Sequence, residues 1–369
     1  MTPNRNIPSL DSRVLQALLP LIAASVVNIL LCSVPFRPSV GGIETVSALL
    51  AERFAGAGHC VTVVTQTVAG DDRTDAFEIV RRPSALRLLA LVRWADVVFH
   101  NNVSLRLAWP LLLTFKPWVI AHHTWLPAHG AAAKLKRQVL RYAHNIAVSR
   151  ALAASLPVAC EMIANPYADD VFQARNGGLR NKDLLFVGRL VSDKGAHVLV
   201  AALGELAQRG LRPSLTVVGD GPEAPALRRQ CAELGIAGQV DFTGWRSSAD
   251  VADLCREHRL LAVPSVWEEP FGIVVLEALA CGCVPVVARS GGLPEAVGRC
   301  GVVLPRGDVG AWANGLQSLL HSPALLDACL GNASAHLERH TREHVAKAYL
   351  EVLGHAQRTR IAPGPARAA

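Results

Sequence analysis

With 369 residues, 51% of them apolar and 18% charged, the chain is too long for one compact core and too apolar for a disordered protein. The formal charge of +7 is uneven: residues 1–163 carry 16 Lys+Arg against 9 Asp+Glu, and residues 164–369 carry 21 of each. That split excludes a uniformly basic nucleic-acid binder and predicts one half facing an anionic partner.

Residues 1–26 read as an apolar leader or extension. Arg5 and Arg13 precede Val14–Val27, a run broken by Gln16, Pro20 and Ser25 that is too short for a membrane span. A first buried strand follows at Asn28–Val34. Short β-branched runs then alternate with helical stretches, the pattern of parallel βαβ units. Strands are expected at Cys60–Thr65, Asp96–His100, Trp118–His122 and Asn145–Val148, with helices at Glu44–Ala57 and Ala132–Ala143. The pattern restarts with strands at Leu184–Gly188, Ser214–Gly219, Gln239–Thr243, Leu260–Pro264 and Val284–Ala288. Helices are expected at Ala196–Arg209, Ala224–Glu233, Gly272–Ala280 and Leu293–Val297. Asn, Pro, Asp and Gly gather at Asn165–Gly178 and mark the junction. The fold class is therefore α/β: two Rossmann-like, doubly wound parallel-sheet domains, residues 27–165 and 166–340, facing a central cleft, with residues 341–369 as a last helix and frayed tail. Nine cysteines contain no CxxC pair, and Cys281-Gly-Cys283 alone is a poor zinc site; reduced, buried thiols in a cytoplasmic protein are expected.

In doubly wound sheets, ligands bind beyond the carboxyl ends of the strands, where the winding reverses. Gly188-Arg189 ends one strand and Asp193-Lys194-Gly195 opens the next helix, so a guanidinium and an ammonium converge on a helix amino terminus, as a diphosphate requires. In Glu268-Glu269-Pro270-Phe271-Gly272-Ile273-Val274-Val275-Leu276-Glu277, Pro270 and Gly272 set up a helix start. Glu269 and Glu277 then face the crevice at two depths, suited to sugar or ribose hydroxyls. Gly219-Asp-Gly221-Pro-Glu-Ala224 imitates a dinucleotide fingerprint but follows the second strand of its unit, and Pro222 removes an amide from the turn. Gly41 and Gly42 follow the first strand and allow main-chain contact with a ligand; His100, His122 and His123 end two others. Neither GxSxG, HExxH nor a P-loop occurs.

These residues, in this order, resemble the retaining nucleotide-sugar glycosyltransferases of family four, the group one enzymes of GT-B architecture. The resemblance runs from about Val27 to Leu350 and rests on Gly41-Gly-Ile-Glu-Thr45, Val187-Gly-Arg-Leu-Val-Ser-Asp-Lys-Gly195, Val218-Gly-Asp-Gly-Pro-Glu223, Asp241-Phe-Thr-Gly244, Pro264-Ser-Val-Trp-Glu-Glu-Pro-Phe-Gly272 and Gly291-Gly-Leu-Pro-Glu295. It implies transfer of a sugar from a nucleoside-diphosphate donor, a UDP- or GDP-sugar, to a glycan or lipid-linked acceptor in cell-surface polysaccharide or glycoconjugate biosynthesis. It implies neither a metal nor a further cofactor. By position, Arg189 and Lys194, beside Gly188, match the residues that neutralise the diphosphate. Glu277 matches the ribose carboxylate, and Glu269 with the amides of Phe271, Gly272 and Ile273 matches the part holding the sugar and distal phosphate. Gly41 and Gly42 match the loop over the donor, and His122 the histidine near the transferred sugar. In the family that histidine is usually followed by an acidic residue or glycine; here His123 follows, so the register lies at one of the two. An epimerase of the same fold or a catalytically silent sugar-nucleotide-binding subunit are the alternatives. In Ala132–Ala143, Lys134, Arg137 and Arg141 lie at i, i+3 and i+7 beside Leu135, Val139 and Tyr142, so a peripheral contact with anionic membrane on its inner face is expected.

Overall fold

The computed structural model describes residues 26–39, 41–68, 76–175 and 180–359. The expected leader falls outside the described residues. Two parallel sheets form the frame. The first runs β1 (Asn28–Cys32), β2 (Cys60–Thr65), β3 (Glu78–Arg81), β4 (Val97–Asn101), β5 (Trp118–His122), β6 (His144–Ala147) and β7 (Glu161–Met162), in the order β3-β2-β1-β4-β5-β6-β7. The second runs β8 (Lys182–Val187), β9 (Leu215–Val218), β10 (Val240–Gly244), β11 (His258–Val263), β12 (Val284–Ala288) and β13 (Val302–Leu304), in the order β10-β9-β8-β11-β12-β13. The winding therefore reverses at β1/β4 and at β8/β11, as a doubly wound chain requires.

Helices of eight residues or more are α1 (Gly42–Gly56), α2 (Ala85–Trp94), α3 (Ala131–Val139), α4 (Ala196–Gln208), α5 (Ala224–Glu233), α6 (Ser248–Glu257), α7 (Ile273–Ala280), α8 (Val309–His321), α9 (Pro323–Leu330) and α10 (Arg342–Arg358). Strand interiors are continuous apolar runs because helices cover both faces: every residue of β4, β5 and β12 is buried. Each helix contributes one stripe to the core. In α2, capped where the Ser84 hydroxyl accepts from Arg87 N, the stripe is Leu88, Leu91 and Val92, spaced i, i+3 and i+4.

The expected helix Ala132–Ala143 is corrected. Regular helix ends at Val139 and a tight turn covers Leu140–Tyr142. Arg141 consequently leaves the solvent stripe: its Nε is buried, without a hydrogen-bond partner among the described residues. Val139 is buried, while Leu135 and Tyr142 are exposed.

α10 leaves the second domain and packs on the first, against α1, β4 and β5. Its buried stripe of Val345, Tyr349, Val352, Leu353 and Ala356 joins the core under the first sheet, with the Tyr349 ring 5.5 Å from that of Phe99 in an edge-to-face pair. Burying each large side chain there contributes about 1.5–3 kcal/mol. Among the described residues, no helix is long and apolar enough to cross a membrane.

Candidate functional site

The loops after β8 and β11 meet at the reversal point of the second sheet. Val266 N and Trp267 N both donate to Asp193 O, at 3.0 and 3.2 Å. Gly195, at φ +70, lies so close that a Cβ would sit 2.0 Å from Pro264 O. Only glycine permits that approach. It delivers Lys194 opposite Glu269: Lys194 Nζ donates to Glu269 Oε1 at 2.6 Å, and Ser265 Oγ donates to the same oxygen at 2.8 Å. The Glu269 side chain is 11% exposed and that of Lys194 28%, so the pair sits at the wall of the cleft rather than on open surface.

The neighbouring Glu268 has a structural task. It accepts from Gly291 N at 2.6 Å and pairs with Arg306. Glu269 O accepts from Gly292 N at 2.7 Å, so the loop after β12 braces the loop after β11. The fingerprint-like Gly219-Asp-Gly221 is explained in the same way. A Cβ at Gly219 would stand 2.0 Å from Gly188 O, and one at Gly221 2.2 Å from Leu190 O. These glycines let the loop after β9 pack against the loop carrying Arg189, whose side chain is exposed.

Gly272, at φ +112, turns the chain into α7, where Phe271 is buried and Ile273 reaches across the cleft. A Cβ on Gly42 would lie 3.8 Å from Ile273 Cδ1, so two residues singled out far apart in sequence meet between the domains. Gly41 is the extended residue before α1. Two more ties join the domains: Trp125 Nε1 donates to Glu268 O at 2.7 Å, and Arg150 N donates to both Glu295 oxygens at 2.8 and 3.0 Å.

Glu277 lies one turn into α7, half-buried, its carboxyl without a hydrogen bond or ion pair among the described residues. Burial pushes its carboxyl up from 4.5 to about 7. Between those values the unfolded chain has released the proton while the folded chain keeps it, so stability falls as pH rises through that window. Glu277→Gln is expected to flatten that slope, read from urea unfolding at about pH 5 and about pH 7.5. A slope equal to that of the parent chain would show that this carboxyl is not desolvated.

His122, the last residue of β5, and His123 just after it part company, because successive residues of an extended chain point to opposite faces. His122 Nε2 lies 3.0 Å from Asn145 Oδ1, and Asn145 Nδ2 donates to Leu140 O and Ala143 O. The amide's orientation makes His122 Nε2 the donor. Burial pushes this imidazole down to about 4, with the Asn145 bond a smaller, opposing effect. Both ring nitrogens of His123 are buried and lack a close hydrogen-bond partner among the described residues, as does Oδ1 of Asn165 on the connector between domains. Burial, and then the adjacent His122, lower it to about 4, with Asn165 alongside offsetting part of the shift. His100 accepts from Trp118 Nε1 at 2.8 Å and belongs to the core.

The structure thus brings together Lys194, Glu269, Gly272, Ile273 and Gly42. It sets Arg189 and Glu277 around them without mutual contacts, and ties His122 into its own domain. Sequence reasoning missed Ser265, Trp125 and the brace through Glu268 and Arg306. Nothing in Pro264–Glu269 singles out Ser265, and contacts such as that of Trp125 with Glu268, across 143 positions, leave no signal.

Residues 169–336 match the model of the family described as glycosyl transferases group 1. The chain is 39% identical over 181 residues to a D-inositol 3-phosphate glycosyltransferase of Rhodococcus opacus (strain B4), covering 47% of this chain and 40% of that one. It is 36% identical over 191 residues to the enzyme of the same name from Gordonia bronchialis, covering 49% and 42%. The chain thus spans about two fifths of the length of these curated relatives. Among solved structures, Anabaena HepE in complex with UDP is similar with a TM-score of 0.77 at 20% identity, over 89% of this chain and 100% of that one. A glycosyltransferase from Rickettsia africae has a TM-score of 0.77 at 17% identity, over 90% and 99%. The two domains together form the GT-B fold, and it is the second of them that carries the likeness to the glycosyl transferases group 1.

Proposed function

We propose that the protein is a retaining glycosyltransferase that transfers a sugar from a nucleoside-diphosphate donor to a glycan or lipid-linked acceptor in cell-surface glycoconjugate or polysaccharide biosynthesis. The observation that carries this is the Lys194–Glu269 pair at the β8/β11 reversal, beside the amino end of α7 and the Gly42–Ile273 contact across the cleft. Lys194, Arg189 and the free amides of α7 supply positive charge to the departing diphosphate without calling on a metal ion. Glu277 accepts from ribose hydroxyls, and Glu269, oriented by Lys194 and Ser265, from hydroxyls of the sugar. In front-face displacement, the acceptor oxygen bonds to C1 on the face from which the diphosphate leaves. The C1–O bond to phosphate breaks with its electron pair on the diphosphate, and the acceptor proton passes to that oxygen. The ring of His122 is committed to Asn145, so His123, beside Asn165 of the connector, is the second candidate for the place beside the transferred sugar.

A UDP- or GDP-sugar suits the site, and the Anabaena neighbour's UDP complex supports the first. The experiment is initial-rate turnover across a panel of UDP-, GDP- and ADP-sugars. At least one is expected to be hydrolysed slowly without acceptor and faster with it. Interconversion of donor sugars with no acceptor would instead indicate an epimerase, and binding of the panel without turnover a silent subunit.

The acceptor side carries the charge. Residues 79–160 hold eleven Lys+Arg and one acidic residue, Asp96. Leu112, Leu113 and Phe115 are exposed, Phe115 by 85%, beside an apolar groove of about 570 Å3. Cations next to exposed apolar side chains suit the inner surface of an anionic bilayer, reached peripherally from the cytoplasm. Flotation with anionic vesicles is expected to recover more protein than with neutral ones, and Phe115→Asp to reduce the difference. Equal recovery in both would refute the contact.

A further inference from the structure

Behind the loops that carry Glu269, on the side of the connector, lies a second concavity of about 740 Å3. Both domains line it. Arg150 and Ile163 come from the first, and Phe271, Glu295 and Arg299 from the second. Arg339 and Val345 come from the segment that returns to the first domain. Its volume is that of an ordinary small-molecule pocket.

Its charge is unbalanced. Arg150, Arg299 and Arg339 are exposed, and none pairs with a carboxylate among the described residues. Arg339 Nη2 makes one contact, 3.4 Å from His336 Nδ1, which leaves its other donors free. Glu295 is the one carboxylate in the wall, and both its oxygens are taken by Arg150 N. The two buried histidines of the wall are also committed. His336 Nε2 lies 2.8 Å from Ala296 O and His340 Nδ1 3.3 Å from Asn165 O, while the His340 ring rests 5.8 Å from that of Phe271. The result is a pocket with an apolar floor of Ile163, Phe271 and Val345 and three guanidiniums without a carboxylate partner among the described residues. Arginine presents planar, forked donors matched to phosphoryl oxygens.

We propose that this pocket binds a small organic phosphate, with its phosphoryl group held by Arg150, Arg299 and Arg339 and its body lying on Phe271 and Val345. The site is separate from the Lys194–Glu269 cleft: none of Arg189, Lys194, Glu269 and Glu277 lines it. A ligand there touches both domains at once, so occupancy raises the temperature at which the intact chain unfolds.

The test is calorimetry on the intact chain with glucose 6-phosphate, with dihexanoyl phosphatidic acid as a water-soluble lipid phosphate, with inorganic phosphate and with glucose. One of the two organic phosphates is expected to bind and to raise Tm, and which one does so identifies a free metabolite or a lipid headgroup as the source. The double variant Arg299→Ser/Arg339→Ser is expected to weaken that binding by about tenfold or more. Arg229→Ser, which removes an exposed charge from α5, and Lys194→Ala are expected to change it by less than about twofold. Loss in Lys194→Ala would assign the binding to the donor cleft, and equal loss in Arg229→Ser to general charge; either overturns the proposal. So does binding of inorganic phosphate as tight as that of both organic probes, or no binding by either of them. None of these outcomes depends on transferase activity, so the pocket stands or falls apart from the proposed reaction.

Discussion

Replacing Lys194 with alanine is expected to cut donor turnover by about 10²–10³-fold while lowering Tm by only a few degrees. The two effects separate because of where the ammonium sits. Its 2.6 Å bond to Glu269 fixes it at the cleft wall, where the diphosphate of the proposed donor would gain charge only as the sugar departs. Losing it removes transition-state stabilisation directly. The folded state loses less: breaking a fully buried pair costs about 3–5 kcal/mol, but here the Lys194 side chain is 28% exposed and Glu269 keeps the Ser265 hydroxyl. Initial rates with the preferred donor and a thermal melt on the same preparation decide it. If activity is retained, or if it vanishes only because the variant unfolds, Lys194 is a structural residue. Lys194→Arg keeps the charge but is too long for the geometry, so partial activity is expected from it.

Gly291→Ala is expected to have the largest cost in stability. The residue sits at φ +51, and a Cβ would stand 2.0 Å from Glu269 O and 2.9 Å from both Glu269 C and N. All three are main-chain atoms with no freedom to rotate away. Left-handed backbone strain and forced displacement together are expected to cost about 3 kcal/mol or more, a drop in Tm of roughly 6–12 °C. Donor turnover falls with it, because what moves is the segment holding Glu269. Gly307 supplies the comparison: its φ is +73, yet nothing lies within 4 Å of its would-be Cβ. Gly307→Ala therefore isolates the conformational cost, about 1 kcal/mol. Similar melting points for the two variants would show that close approach at Gly291 is unimportant.

Much of this architecture was legible in the chain because parallel sheets covered on both faces demand continuous apolar runs. Asn28, Cys60, Trp118 and Val284 begin observed strands where those runs begin. Edge elements were not legible. β3 has four residues and includes Glu78 and Arg81, and β7 has only Glu161 and Met162, so neither offers an apolar run. α2 follows β3 with a clean i, i+3, i+4 stripe and was passed over because the strand before it was invisible. At the site, Lys194 announces itself by charge next to Gly195, Glu269 by its place just before the helix start at Gly272, and Glu277 as the one charge in the apolar run Ile273–Ala280. The choice between His122 and His123 depends on which way the last strand residue turns, and a one-residue slip reverses it. Tyr142 and Arg141 show the same limit, since a tight turn after Val139 rotates both away from the helical stripe assigned to them.

The return of α10 to the first sheet has a consequence for how the molecule is made. A ribosome releases the first domain's seven strands early, yet the face they present to Tyr349 stays uncovered until residues past 342 emerge. The second domain, uninterrupted in sequence, can condense while its elder neighbour still waits for a lid. Synthesis order and maturation order are therefore reversed, and the nascent lobe with the cationic, apolar surface is the one longest open to chaperones.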